Sequence, residues 1–237
     1  AAVLGARMSK TSLMLALAGG GLLLGAGYAW RRSNQQMLQS SPYRGLVPII
    51  EPQIGMHTAE QVLARLEHLP ESDEVTVLLH TGGGLVTACV MIADALRRFP
   101  KSRAIVPYMA LSGGTLIALN ARRLEMGRSA ALSAVDPLVD GWRAKHIPER
   151  TAKLHALAQE AYQAVSTYLE ETLTHRLGDP RAVERAMQVF MGHAAPHSWP
   201  VRSREVAALG LHVTHADDQW SRLVDAYRTS ASRYRTL

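Results

Sequence analysis

From residue 46 onward, short apolar runs of strand length alternate with stretches of helical period. Leu46-Val47-Pro48-Ile49-Ile50 reads as a strand whose proline favours an edge or a bend. Thr58 and Gln61 have the spacing of a capping box, and Val62, Leu66 and Leu69 fall on one helical face before Pro70 stops the pattern. Val75-Thr76-Val77-Leu78-Leu79 is a continuous run, as expected of a strand buried on both faces, and Gly82-Gly83-Gly84 ends it. Leu85, Ala88, Ile92, Leu96 and Phe99 then keep helical spacing up to Pro100, and Ala104-Ile105-Val106-Pro107-Tyr108 begins the next strand. The unit recurs: Ser112-Gly113-Gly114 opens a helix holding Leu116, Ile117 and Leu119, and Arg123-Leu124-Glu125-Met126 reads as another short strand.

Beyond Pro148 the pattern turns helical as far as Leu177, with Leu154, Leu157, Ala161, Val165, Tyr168 and Leu173 expected on one side. Asp179-Pro180 has the form of an N-cap followed by a first helical residue, leading a helix with Val183, Met187 and Phe190. Ser203 is expected to cap a shorter helix that ends at Gly210, and residues 217–237 read as a final amphipathic helix with basic ends. Strands alternating with helices predict an α/β domain. No solenoid-type repeat is present.

The N-terminal part follows different rules. Thr11 to Trp30 carries no charge, and as a helix rising about 1.5 Å per residue it matches the hydrocarbon thickness of about 30 Å. Its glycines at 19, 20, 21, 25 and 27 are tolerated in lipid, and Tyr28 and Trp30 sit at one end as interfacial aromatics do. Arg7, Lys10, Arg31 and Arg32 flank the segment on both sides, so the charge pattern selects no orientation. A cleaved signal peptide is the main competing reading, with a buried helix behind it, but Arg31-Arg32 is more like a stop-transfer flank than a mature N-terminus. The expected division is a tail and transmembrane anchor over 1–32, a polar linker over 33–42 and a folded domain over 43–237. The expected location is a membrane, single-pass, as in a bacterial inner membrane.

Composition narrows the function. With 47% hydrophobic and 19% charged residues in 237, the chain supplies a core, and disorder and low-complexity structure are excluded. The net charge of +6 gathers around the apolar segment, and aromatics make up only 5%, so no nucleic-acid partner is expected. A single cysteine, Cys89, excludes an internal disulfide and a cysteine zinc cluster. No metal site and no cofactor are expected, because the histidines show no paired ligand spacing and neither glycine turn fits a phosphate-binding fingerprint.

Two glycine turns, His80-Thr81-Gly82-Gly83-Gly84 and Leu111-Ser112-Gly113-Gly114-Thr115, each stand between a strand and a helix. Such a turn presents free amides at a helix N-terminus, where they bind phosphate or stabilise the oxyanion of acyl transfer. Ser112 fits a nucleophile held toward a cleft; on local pattern alone an ordinary N-cap, with the glycines needed for tight packing, is the favoured reading.

The stretches VTVLLHTGGGLVTACVMIADALRRFP, VPYMALSGGTLIALNA, ALSAVDPLV and PHSWPVRSREVAALGLHV together resemble the serine dehydrogenase proteinase family over roughly Val47 to Val213. That family is related to signal peptide peptidase A and to the proteolytic subunit of Clp protease. The resemblance implies a crotonase-like β-spiral of repeated ββα units with outer helices, here behind a transmembrane helix. It also implies a serine endopeptidase with Ser112 as nucleophile and an oxyanion hole from the amides of Gly83 and Gly113, supported by Gly84, Gly114 and Asp136. Peptide or protein substrates, a homo-oligomer and a possible larger membrane complex come with it.

The chain departs from the family in two places. Gly82 stands where the family commonly has proline, and Asp136 stands where Clp-type relatives carry their histidine. A lone carboxylate is a poor base for a hydroxyl, so the expected base is Lys153, as in relatives of the signal peptide peptidase type, provided that burial depresses its pKa. Lys145 is the reserve. His197 aligns with the histidine of the family stretch, where it orients a base, completes a different dyad or is structural. Asp136 is expected to fix its loop by accepting backbone N–H groups. The alternative from another class is a membrane scaffold, or a subunit of a larger assembly, that has the fold without a competent base.

Overall fold

The computed structural model describes residues 45–149, 152–192 and 195–233. The apolar segment 11–30, the linker 33–42 and the expected domain start at 43 lie outside these residues. Among the described residues no helix is long and apolar enough to cross a membrane.

Ten strands and seven helices are described: β1 (Leu46–Glu51), α1 (Met56–Leu66), β2 (Thr76–Thr81), α2 (Val86–Arg97), β3 (Arg103–Val106), β4 (Met109–Ala110), α3 (Gly113–Asn120), β5 (Arg123–Met126), β6 (Ala131–Leu132), β7 (Leu138–Val139), β8 (Trp142–Arg143), α4 (Ala152–Leu177), α5 (Pro180–Met187), β9 (Val201–Arg202), α6 (Ser203–Ala208), β10 (Val213–His215) and α7 (Asp218–Arg233). Eight strands form one sheet in the order β10-β5-β3-β2-β4-β6-β9, with β1 also on β2. All its pairings are parallel except β6 with β9. A separate hairpin joins β7 to β8.

The sheet curls because β2 serves two successive strands. Its first half, Thr76 to Leu78, pairs with β3, whereas Thr81 at its end pairs with β4. Between β3 and β4 the chain jogs at Pro107-Tyr108, where a proline cannot donate to a ladder. β5 then extends the β3 row and β6 the β4 row. The sheet therefore forks into two branches, the second of them short. β1 is an edge strand, consistent with its Pro48.

Side chains bury themselves as the periodicities require. One cluster sets Val77, Leu79, Ala104 and Val106 of the sheet against Val62 and Leu66 of α1, Ile92 and Leu96 of α2, Leu116 to Leu119 of α3, and Leu169 and Leu173 of α4. The opposite face packs Leu46, Leu78 and Ile105 against Val224 and Leu223 of α7. Three details differ from the sequence expectation. The N-cap of α1 is Gly55, three residues before the expected cap, and Thr58 accepts a hydrogen bond from the Gly55 N–H at 3.2 Å from inside the first turn. Phe190 lies not on α5 but on a π-turn, Gln188–Gly192, that follows it and buries the ring fully. Leu157 is 57% exposed, because the first turns of α4 overhang the hairpin instead of the main core.

Phe99 closes the end of α2 at zero exposure. Phe99→Ala is expected to lower the unfolding free energy by about 3–5 kcal/mol in urea titrations, and a loss under about 1 kcal/mol would contradict this account of the core.

Candidate active site

Both glycine turns lie at the C-terminal ends of neighbouring parallel strands, β2 and β4, which brings them together. The Leu111 N–H donates to Thr81 O at 3.0 Å and holds one turn against the other. The contact is so close that Gly83 has no room for a side chain: a Cβ there would lie 2.6 Å from Ser112 Cβ and 2.8 Å from Leu111 O. Gly83 also has a φ of +105°, which favours glycine by itself.

Ser112 is not an ordinary cap. Its φ of 50° and ψ of −120° are a backbone conformation that a residue with a Cβ adopts only under constraint, and its side chain makes no capping hydrogen bond. The elbow is held by its own amide, which donates to Ser133 Oγ at 2.8 Å, and by Gly114 N–H donating to Leu111 O at 2.8 Å. The Ser133 amide in turn donates to Thr115 Oγ1, and the Thr115 hydroxyl to Ala110 O. These bonds leave the half-exposed Ser112 hydroxyl without a hydrogen bond among the described residues.

The amide of Gly113 is the first of α3 and has no helical acceptor. A Cβ on Gly113 would lie 2.2 Å from Cys89 Sγ, so the thiol fixes this position as glycine. The same point is 3.6 Å from the Gly84 nitrogen, so the Gly84 backbone lies close against Gly113. The Gly83 amide donates instead to Thr81 Oγ1 at 3.1 Å, so it serves a substrate only by sharing or leaving that hydroxyl. Gly114 is needed for packing, with Thr81 Cγ2 only 2.6 Å from where its Cβ would be.

The second half of the site comes from the antiparallel pair β6–β9, with Leu132 opposite Val201. Each step forward along one chain is a step back along the other, so four residues further on Asp136 comes opposite His197. Their side chains meet: His197 Nδ1 and Asp136 Oδ1 are 3.0 Å apart. The carboxylate is fully buried, and its other oxygen accepts Arg143 Nε at 2.5 Å. Burial alone would push the Asp136 carboxyl up, but the hydrogen bonds and charges of His197 and Arg143 outweigh it and hold the group below its ordinary value. An ionised Asp136 only accepts, so His197 Nδ1 is the donor of this bond, and Nε2 is the ring nitrogen it leaves out.

Asp136 therefore accepts side-chain donors, not the backbone amides expected from the sequence. Lys153 is exposed in the first turn of α4 and lacks the burial its candidacy as a base required. Lys145 is half-buried and donates to Met191 O at 3.3 Å, and burial, then the charge of Arg143, lowers its pKa while Asp136 opposes. His80 is packed edge-on against Tyr108, and its buried Nδ1 makes no hydrogen bond among the described residues. Among the described residues no group of side chains is arranged to hold a metal ion. Arg143, Ser133 and the packing role of Cys89 are not visible in the sequence, because each acts through a contact distant along the chain.

The family description "ClpP-like SDH-type serine proteinase" matches residues 43–234. The chain belongs to this family. Two uncharacterized proteins of Methanocaldococcus jannaschii are similar to it, one 31% identical over 189 residues and 74% of this chain, the other 30% identical over 172 residues and 68%. These matches span 66% and 59% of those relatives, so the chain spans less than two thirds of their length. A ClpP1 variant from Listeria monocytogenes has the same fold, with a TM-score of 0.57 at 16% identity, over 79% of this chain and 99% of that one. The curled sheet with its helices is thus a ClpP-like α/β fold, as the sequence resemblance implied.

Two measurements follow for this ClpP-like chain. Asp136 has a lowered folded pKa, so its stabilisation is complete above the ordinary aspartate value of about 3.9 and is lost as pH falls through the folded value. Asp136→Asn is expected to cost about 1–3 kcal/mol at pH 7 and to flatten the acid side of the stability profile in urea titrations; equal acid slopes would contradict this. Gly113→Ala is expected to destabilise through the clash with Cys89 Sγ, and Cys89→Ala in the same chain to recover part of the loss. Strict additivity of the two substitutions would show that the thiol does not set this position.

Proposed function

We propose that this chain is a serine endopeptidase in which Ser112 is the nucleophile, His197 the general base and Asp136 the group that orients and charges the base. The observation that carries the reading is the Asp136–His197 hydrogen bond on a fully buried carboxylate, together with an elbow that strains Ser112 and leaves its hydroxyl unbonded among the described residues. His197 Nε2 takes the proton of Ser112 Oγ as the oxygen attacks the scissile carbonyl carbon. The carbonyl oxygen becomes an oxyanion that receives the Gly113 and Gly84 amides, with the Gly83 amide as a further donor once Thr81 releases it. The imidazolium then protonates the leaving amine as the C–N bond breaks. Water, deprotonated by the same imidazole, hydrolyses the acyl-serine and restores both groups.

Histidine is favoured over lysine by burial and pairing. Lys153 is exposed, and Lys145 is bound to a main-chain carbonyl, whereas His197 is paired through Nδ1 with the buried Asp136 carboxylate. The substrates are peptides, and the chain acts as a homo-oligomer held at a membrane by residues 11–30. The assembly is supported by the exposed apolar side chains Leu138, Trp142, Leu157 and Trp199 on the β7–β8 hairpin, the start of α4 and the loop that carries His197.

A fluorophosphonate probe is expected to label the wild type and not Ser112→Ala. His197→Ala is expected to slow labelling at least about 10³-fold and Asp136→Asn about 10²–10⁴-fold, with Lys153→Ala at the wild-type rate. Labelling that persists in His197→Ala and disappears in Lys153→Ala would replace the histidine by the lysine.

A further inference from the structure

The reaction as described uses three side chains, yet the Asp136–His197 pair does not stand alone. Arg143, at the end of β8, donates its Nε to Asp136 Oδ2 at 2.5 Å and its NH1 to Ala195 O at 2.6 Å. Asp136 is the carboxylate of the pair, and Ala195 lies two residues before His197 on the loop that carries the imidazole. One planar guanidinium thus ties the carboxylate and the histidine loop together, independently of the hydrogen bond between them.

The hairpin is built to aim this group. Its two turn residues, Asp140 and Gly141, both have positive φ, 52° and 78°, the conformation of a tight two-residue turn. The Ala144 N–H closes back on Pro137 O at 2.9 Å, directly after Asp136 in the chain. The arrangement is costly in itself, because Arg143 is only 11% exposed and its NH2 is buried with no hydrogen bond among the described residues. A hairpin needed only for packing would not place an incompletely satisfied cation against a buried carboxylate.

We propose that Arg143 is a positioning residue of the peptidase: it fixes Asp136 and the His197 loop in register and offsets the carboxylate charge, so that the pair takes up its proton at lower pH. This rests on the reading of His197 as base. The charged and titratable groups facing Asp136 are Arg143, His197 and Lys145. Without the guanidinium the carboxylate charge acts on the imidazole undiminished, and the protonated pair is favoured. A lysine keeps the charge but not the fork, so it cannot hold Asp136 and Ala195 O together.

The test measures two quantities in the full chain for wild type, Arg143→Leu and Arg143→Lys. One is the NMR titration of the His197 ring protons, which requires no activity; the other is the pH profile of Ser112-dependent fluorophosphonate labelling. Arg143→Leu is expected to move the titration and the acid limb of the labelling profile up by about one unit, and to slow labelling about 10–10²-fold at the plateau. Arg143→Lys is expected to slow labelling while leaving both midpoints near the wild type, and it decides the matter if the leucine variant does not fold. Unchanged rate and midpoint in Arg143→Leu overturn the proposal, as does a slower rate with an unmoved midpoint, the signature of a merely structural arginine. If the wild type shows no Ser112-dependent labelling, the catalytic reading fails, while the NMR titration still decides whether Arg143 sets the pair.

Discussion

A buried carboxylate must have its charge met, and at Asp136 this requirement organises the site. With no exposure to water, the carboxylate is compensated on one oxygen by His197 and on the other by Arg143. The loop before β9 and the hairpin after β6 are both drawn to it. Removing either donor leaves a charged oxygen in a dry environment, so the geometry of the histidine is enforced by electrostatics as much as by packing. The tautomer follows from the same constraint, since an ionised acceptor dictates which ring nitrogen carries the proton.

The Ser112 side depends on steric exclusion instead. Gly83 lies so near Ser112 that only a hydrogen fits between the elbows, and Gly113 is pressed in the same way by Cys89. Strain at Ser112 persists because the amide bonds to Ser133 and the Leu111 bond to Thr81 over-determine the turn. Both halves of the site grow from the short branch of the forked sheet. Ser133, which holds the elbow, is three residues before Asp136 on the same segment. The curl of the sheet is therefore the link between sequence and chemistry, for it lets β4 and β6 leave the main sheet together.

What the sequence revealed follows the reach of local rules. The runs at 75–79 and 123–126, the Asp179 cap and the two glycine turns were legible because each depends on neighbours within one helical turn or one strand. The pairing of Asp136 with His197 was not, because β6 and β9 are two residues each and carry no periodicity. Their antiparallel register is set by tertiary packing alone. Without it, a carboxylate at the place of the Clp-type histidine reads as an absent base, and Lys153 as the expected one. The helix begins at Ala152, so that lysine falls in an exposed first turn, a boundary effect that pattern reading resolves poorly. Leu157 fits the apolar stripe by spacing and is nonetheless exposed, since spacing does not tell whether a helix end overhangs its core.

The most direct test of the shared site is the chemistry of a peptidyl chloromethyl ketone, which adds to a serine hydroxyl at its carbonyl and alkylates a nearby base at its methylene carbon. Mass spectrometry and a structure of the adduct are expected to find one inhibitor joined to Ser112 Oγ and to His197 Nε2, with alkylation of His197 abolished by Ser112→Ala. Alkylation of Lys153 or Lys145 in place of His197, or a Ser112 adduct with the imidazole turned away from it, would contradict the account.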